Sequence, residues 1–157
     1  MLLFDALIGN TDRHQDNWGL LWIHKADGGR SVRPAPVFDN GTSLGHEIIE
    51  RKLTDFTDAE RLSHYVNRGH HHIRWYMGDS KPQQHVEVLS RLIDVNPRLA
   101  AIVECRLQSF DIEIFATMIN VLTEFDVPVR LSSERADFVI RLTRFRHQNH
   151  INQLVGN

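Results

Sequence analysis

Two short polar segments carry residue types at spacings that suit catalysis. Asn10-Thr11-Asp12-Arg13-His14-Gln15-Asp16-Asn17-Trp18 places an aspartate five positions ahead of an asparagine, and Phe38-Asp39-Asn40-Gly41 sets a second carboxylate before a glycine. Phosphoryl transfer to a hydroxyl needs a carboxylate to accept the hydroxyl proton. It also needs hard oxygen ligands for the magnesium that neutralises a triphosphate. Asp12 can meet the first need, and the Asn17 amide oxygen with the Asp39 carboxylate can meet the second. Irregular backbone between Asp12 and Asn17 lets both side chains turn into one cleft, which a single helix or strand would not guarantee. An Asp-x4-Asn spacing alone arises often by chance, so the flanking elements decide its weight.

Those elements are legible. Leu2, Leu3, Phe4, Ala6, Leu7 and Ile8 form an apolar stretch that reads as the end of a buried helix, broken by Gly9-Asn10. Trp18 to His24 reads as a strand, Ala26 to Arg30 as its turn, and Ser31 to Phe38 as the returning strand, so the hairpin is expected to bring Asp39 back beside Asn17. Pro34 and Pro36 make the second strand short, an edge or irregular. Thr57-Asp-Ala-Glu60 is a capping box opening a helix that ends near Asn67 to Gly69. Further helices are predicted from after Lys81-Pro82 to Asp94, from Asn96-Pro97 through Leu107, and from Asp111 to Phe125 with Pro128 as the stop. Ser132 or Ser133 caps the last, with Phe138, Val139, Leu142 and Phe145 as its buried stripe and Arg141, Arg144 and Arg146 exposed. The expected fold class is mainly α with a short β-hairpin (α+β). No repeat or linker interrupts the chain, so one domain is expected over residues 1–157. Residues 1–45 hold the catalytic loop, hairpin and metal-binding segment, and 46–157 a helical bundle.

Ile8 to Gly19, followed by Pro36-Val-Phe-Asp-Asn-Gly-Thr-Ser-Leu-Gly45, resembles the catalytic and metal-binding core of HipA-like kinases, the bacterial toxin serine/threonine kinases. The Asp-Arg-His-x-x-Asn portion is similar also to the catalytic loop of phosphatidylinositol 3- and 4-kinases. The resemblance implies ATP and Mg2+ as cofactors, Asp12 as catalytic base, Asn17 and Asp39 as magnesium and cofactor ligands, and His14 as a supporting residue placed to touch the transferring phosphate. It implies a protein-kinase-like C-terminal lobe that transfers phosphate to a protein Ser/Thr hydroxyl, with an antitoxin-like protein among its partners. Asp39-Asn40-Gly41 stands where protein kinases carry Asp-Phe-Gly. The glycine-rich cover and the phosphate-pairing lysine of an N-terminal lobe have no counterpart here, since Gly28-Gly29 falls in the hairpin turn. The chain is therefore expected to be a C-terminal lobe without its N-terminal lobe: a fragment, one chain of a split kinase, or a truncated gene product, incomplete or inactive alone.

Composition sets the remaining bounds. A chain of 157 residues with 41% hydrophobic content can bury a core without disulfides. Its one cysteine, Cys105, falls in an apolar helical pattern, is expected to be a buried thiol, and suits a reducing cytoplasm. A net charge of -2 gives no steer toward nucleic acid, and no apolar run is long enough to cross a bilayer. His70-His71-His72 is expected to be an exposed or partly buried polar stretch, because neighbouring side chains on a helix or strand diverge and rarely hold one ion. Trp75-Tyr76-Met77 is expected in the core. Competing readings are a non-catalytic helical partner-binding module derived from a kinase lobe and, more weakly, a metallophosphoesterase. The latter lacks the further His and Asp motifs that two metals require.

Overall fold

The computed structural model describes residues 1–155, so the last two positions of the expected domain lie outside the described residues. It is mainly helical with one antiparallel hairpin, an α+β fold. Helix α1 spans Leu2–Ile8 and ends at Gly9, whose left-handed backbone (φ 68°) returns its amide to the Asp5 carbonyl. A 3-10 turn, Gln15–Asn17, leads into strands β1 (Leu20–His24) and β2 (Arg30–Pro34), paired with Leu20 opposite Pro34 and His24 opposite Arg30. The returning strand stops at Pro34 instead of Phe38, because the prolines cannot donate to the ladder. Beyond it, the Ala35 amide still reaches the Gly19 carbonyl at 2.8 Å.

A 3-10 helix, Glu50–Thr57, precedes helices α2 (Ala59–Asn67), α3 (His85–Val95), α4 (Arg98–Gln108), α5 (Ile112–Leu122) and α6 (Ser133–Leu154). The cap of α2 is Asp58, whose carboxylate accepts the Arg61 amide at 2.7 Å. Thr57 closes the preceding turn by donating to the Thr54 carbonyl, so the capping box predicted at Thr57 is displaced by one residue. Asp111 and Ser132 cap α5 and α6 with their side-chain oxygens, as short polar residues ahead of apolar runs do.

Helix α6 is the axis of the molecule and packs against α1, α2, α3, α4, α5 and the long 3-10 helix. Its Phe138, Val139 and Leu142 join Leu53, Phe56, Leu62 and Val66 in the core, where Phe56 meets Phe138 edge-on at 5.3 Å between ring centres. This central position corrects the expectation that Arg146 is exposed. Beyond the core stripe, Ile140, Thr143, Arg146 and His150 are also buried, because partners surround the helix on more than one side. Cys105 lies on the open face of α4 and is exposed, not buried. Tyr76 and Met77 project from a turn and are exposed, so that segment is not core. Trp75 is half-buried, with the Arg91 guanidinium 5.7 Å from its ring centre. His71, at the centre of the histidine run, is wholly buried. Among the described residues no helix is long and apolar enough to cross a membrane.

Candidate active site

The backbone of the site is built from a buried polar cluster. Asp5 points inward from α1 and is inaccessible to solvent, as are Asn10 and, nearly, Arg13. The Arg13 guanidinium donates to Asp5 through Nη2 at 2.8 Å and through Nε at 3.1 and 3.2 Å, and a charge so buried persists only with such pairing. Its remaining donors reach forward, Nη1 to the Phe38 carbonyl and Nη2 to Asn40 Oδ1. Arg13 therefore ties both neighbours of Asp39 to the loop that carries Asp12 and Asn17. Asn10 Oδ1 accepts the Asp12 amide at 3.0 Å and the Thr42 hydroxyl at 2.8 Å, a second tie between the same two segments.

Each expected site residue has a distinct setting. Asn17 is buried, and its Nδ2 donates to the Asp12 carbonyl at 3.0 Å, which fixes the amide and leaves Oδ1 as an acceptor. Asp39 is exposed and sits at φ 55°, a left-handed conformation that a non-glycine residue holds only when its surroundings impose it. The Arg13 ties at Phe38 and Asn40 are that imposition. The Asp12 side chain is 51% exposed, and its Oδ1 lies 3.6 Å from His72 Nδ1. His14 turns its Nδ1 back to accept the Asp16 amide at 3.3 Å, capping the 3-10 turn, and its ring stands edge-on to His72 at 6.1 Å. His72 is thus a neighbour of Asp12 that sequence reasoning passed over; it lies sixty positions away in the chain, with no local spacing to reveal it.

Asn17 and Asp39 offer the kind of oxygen that magnesium takes. Asn17 Oδ1 and the Asp39 carboxylate are hard oxygens without a side-chain hydrogen bond to another protein group among the described residues. Magnesium is commonly bound by one or two such groups, with phosphate oxygens and water completing its shell. No group of three or more His, Cys, Asp or Glu side chains able to hold a metal by themselves occurs among the described residues.

Beneath the loop lies a set of buried imidazoles. His85 Nε2 donates to the Asn10 carbonyl at 3.0 Å, and the His71 and His85 rings stand 4.4 Å apart. Burial above all, with His71, Arg146 and His150 nearby, pushes His85 down to about 2, against the pull of the Asn10 carbonyl. Burial likewise pushes His71 and His150 down to about 4. Neither nitrogen of His71 or His150 makes a well-formed hydrogen bond to protein, and the Ala6 backbone near His150 only partly offsets its burial. Neutral imidazoles therefore support the Asn10 turn from below.

Above it, the hairpin is open to solvent on both faces, with Trp18, Leu20, Trp22 and Phe38 exposed. Gly19 fits because a Cβ there would stand 3.1 Å from that of Ala35 at the hairpin base.

The chain is similar over 44 residues, at 43% identity, to the serine/threonine-protein kinase CtkA of Helicobacter pylori (strain J99). That match spans 28% of this chain and 13% of the relative, so the likeness to a kinase is local. No family model matches the chain, and no solved structure does.

Proposed function

We propose that this chain is the catalytic lobe of an ATP- and magnesium-dependent, HipA-like kinase that transfers the γ-phosphate to a Ser/Thr hydroxyl of a protein. The observation that carries the reading is the Arg13 bridge, which fastens the segment on both sides of Asp39 to the loop bearing Asp12 and Asn17. Such a tie matters in phosphoryl transfer, where catalysis is almost entirely positioning and charge stabilisation. The local likeness to a serine/threonine kinase supports the same class.

In this reading the half-exposed Asp12 accepts the proton of the attacking hydroxyl. His72 Nδ1 stands 3.6 Å from Asp12 Oδ1, a neighbour of the carboxylate that leaves its other oxygen free. Asn17 and Asp39 would hold the magnesium, which would supply charge neutralisation at the nucleotide's phosphates. Arg13 and Asn10 keep the two segments in register. His14 supports the loop through its cap on the 3-10 turn. The open hairpin, with Trp18 and Trp22 unpacked, is the face on which an N-terminal lobe or a separate chain carrying the phosphate-gripping elements would pack.

Calorimetric titration with nucleotide is expected to show magnesium-dependent binding that is lost in Asp39→Ala. With an N-terminal lobe supplied, phosphate transfer to protein is expected to be lost in Asp12→Ala while nucleotide binding persists. No magnesium-dependent binding in that assembled form would end the kinase reading. The non-catalytic alternative would then hold, and the exposed hairpin would be its partner surface.

A further inference from the structure

A cavity of about 530 Å³ borders the loop through Gly9, Thr11 and Thr42, yet none of Asp12, Asn17 or Asp39 lines it. Its charge balance is lopsided. Arg61, Arg68, Arg146, His46, His64 and His70 line it, against Glu47 as the one carboxylate. Glu47 is already engaged, accepting the Tyr65 hydroxyl at 2.7 Å and facing His46 Nδ1 at 3.2 Å. Arg61 is neutralised by Asp55 at 3.0 Å. That leaves Arg68 and Arg146 without a carboxylate in contact among the described residues.

Arg146 is the informative one. It is 2% exposed: Nη1 donates to the Ile8 carbonyl at 3.1 Å, the guanidinium carbon lies 5.6 Å from the Tyr65 ring centre, and Tyr65 and Glu47 offset only part of the cost of burying the charge. A guanidinium presents five donors in a planar fork that matches phosphate oxygens, and a buried cation with donors to spare calls for an anion. Gly9 makes room for it: a Cβ there would fall 2.1 Å from the guanidinium carbon. The cavity is far larger than one phosphate, and Phe56 and Tyr65 provide apolar wall for whatever carries it.

We infer that this cleft is a second binding site, for a phosphate monoester held by Arg146 and Arg68 beside the loop. Neither the proposed base nor the proposed magnesium ligands line it, and the inference does not depend on the kinase reading. Phosphate monoesters carry close to two negative charges near neutral pH, and the imidazoles of His46, His64 and His70 line the same cleft as hydrogen-bonding groups. The arrangement suits either a phosphorylated serine or threonine of a protein or a small phosphorylated molecule.

The test is titration of the full chain, in EDTA and without magnesium, with inorganic phosphate, O-phosphoserine, a phosphoserine peptide of neutral sequence and its unphosphorylated counterpart. Binding is read by calorimetry and by backbone amide shifts at Gly9, Thr42 and Gly69. The expected result is saturable binding of the phosphorylated probes, absent for the unphosphorylated peptide and weakened about tenfold or more by Arg68→Gln or Arg146→Lys, since each removes charge-assisted hydrogen bonds. Arg68 is exposed, so Arg68→Gln keeps the test sound even where Arg146→Lys loosens the fold. A phosphopeptide that binds about tenfold more tightly than O-phosphoserine identifies a phosphorylated protein as the ligand, and equal binding identifies the small anion. Absence of binding by every phosphorylated probe, or binding indifferent to Arg68→Gln, overturns the inference. Arg68→Gln should leave magnesium-dependent nucleotide binding unchanged, so the two readings fail separately.

Discussion

Replacing Arg13 by alanine should uncouple two properties that the structure joins. The substitution leaves Asp5, which is inaccessible to solvent, without its ion-pair partner among the described residues and with only a long donation from Asn10 Nδ2 at 3.5 Å. Removing one partner of a buried pair costs about 3–5 kcal/mol, because the remaining charge is left unpaired. The lost donations to the Phe38 carbonyl and Asn40 add about 1 kcal/mol each at most. A loss of about 4 kcal/mol is a large share of a typical domain's stability of roughly 5–15 kcal/mol. It would lower the urea midpoint by about 2 M at a denaturant slope of about 2 kcal/mol/M.

The double variant Asp5→Leu/Arg13→Met separates stability from positioning. Exchanging a buried pair for apolar residues of similar size is often neutral, so most of the urea midpoint should return. The ties to Phe38 and Asn40 do not return with it, and limited proteolysis should still cut the segment around Asp39 faster than in the parent. Two results would refute the reasoning. One is an Arg13→Ala cost below about 1 kcal/mol, the range of a surface pair. The other is a double variant whose Asp39 segment resists protease as well as the parent's.

The buried imidazoles predict acid sensitivity. His71, His85 and His150 face one another, Arg146, His70, His147 and the chain amino terminus, and all three are held below the usual 6.5. Above about pH 6.5 they are neutral in folded and unfolded chains alike; as pH falls the unfolded chain takes protons first, so stability drops down to about pH 4, where folded His71 and His150 begin to charge. The loss is about 3 kcal/mol for each of those two, and urea midpoints that stay flat between about pH 7 and pH 5 would contradict it. Gly9→Ala should cost about 2–4 kcal/mol in thermal melts, combining a φ of 68° with the contact to Arg146, whereas Gly28→Ala, at φ 80° in open space, should cost about 1 kcal/mol; equal costs would remove the contact from the account. Asp58→Ala should cost about 1 kcal/mol and Thr57→Ala far less, and the reverse order would restore the capping box to Thr57.

Much of the fold was legible because its signals are local. Asp111 and Ser132 announce their helices by side-chain chemistry acting over three residues, whereas the returning strand, expected to reach Phe38, stops at Pro34. The errors share a different cause. Cys105 is exposed although Val103 and Leu107 of the same helix are buried, and Arg146 sits in a polar position of a helix that has neighbours on several sides. Periodicity tells which side of a helix is apolar; it does not tell how many elements will pack there.

The candidate site divides the same way. Asp12, Asn17 and Asp39 attract attention because reactive carboxylates and amides in loops are conspicuous in any sequence. The groups that hold them are conspicuous only in three dimensions. Arg13 reaches Asp5 eight residues back and Asn40 twenty-seven ahead, and His85 supports the Asn10 carbonyl from seventy-five residues away. A polar residue read alone defaults to the surface, since a buried charge is costly unless paired, and the pairing is a property of the fold. Arg13 and Arg146 are therefore alike in the sequence and opposite in the structure. Arg13 finds its carboxylate in direct contact and serves the scaffold, while Arg146, just as buried, has no carboxylate in contact among the described residues, only Glu47 nearby, and faces a cavity. That contrast is why the first belongs with the site's framework and the second points to a ligand.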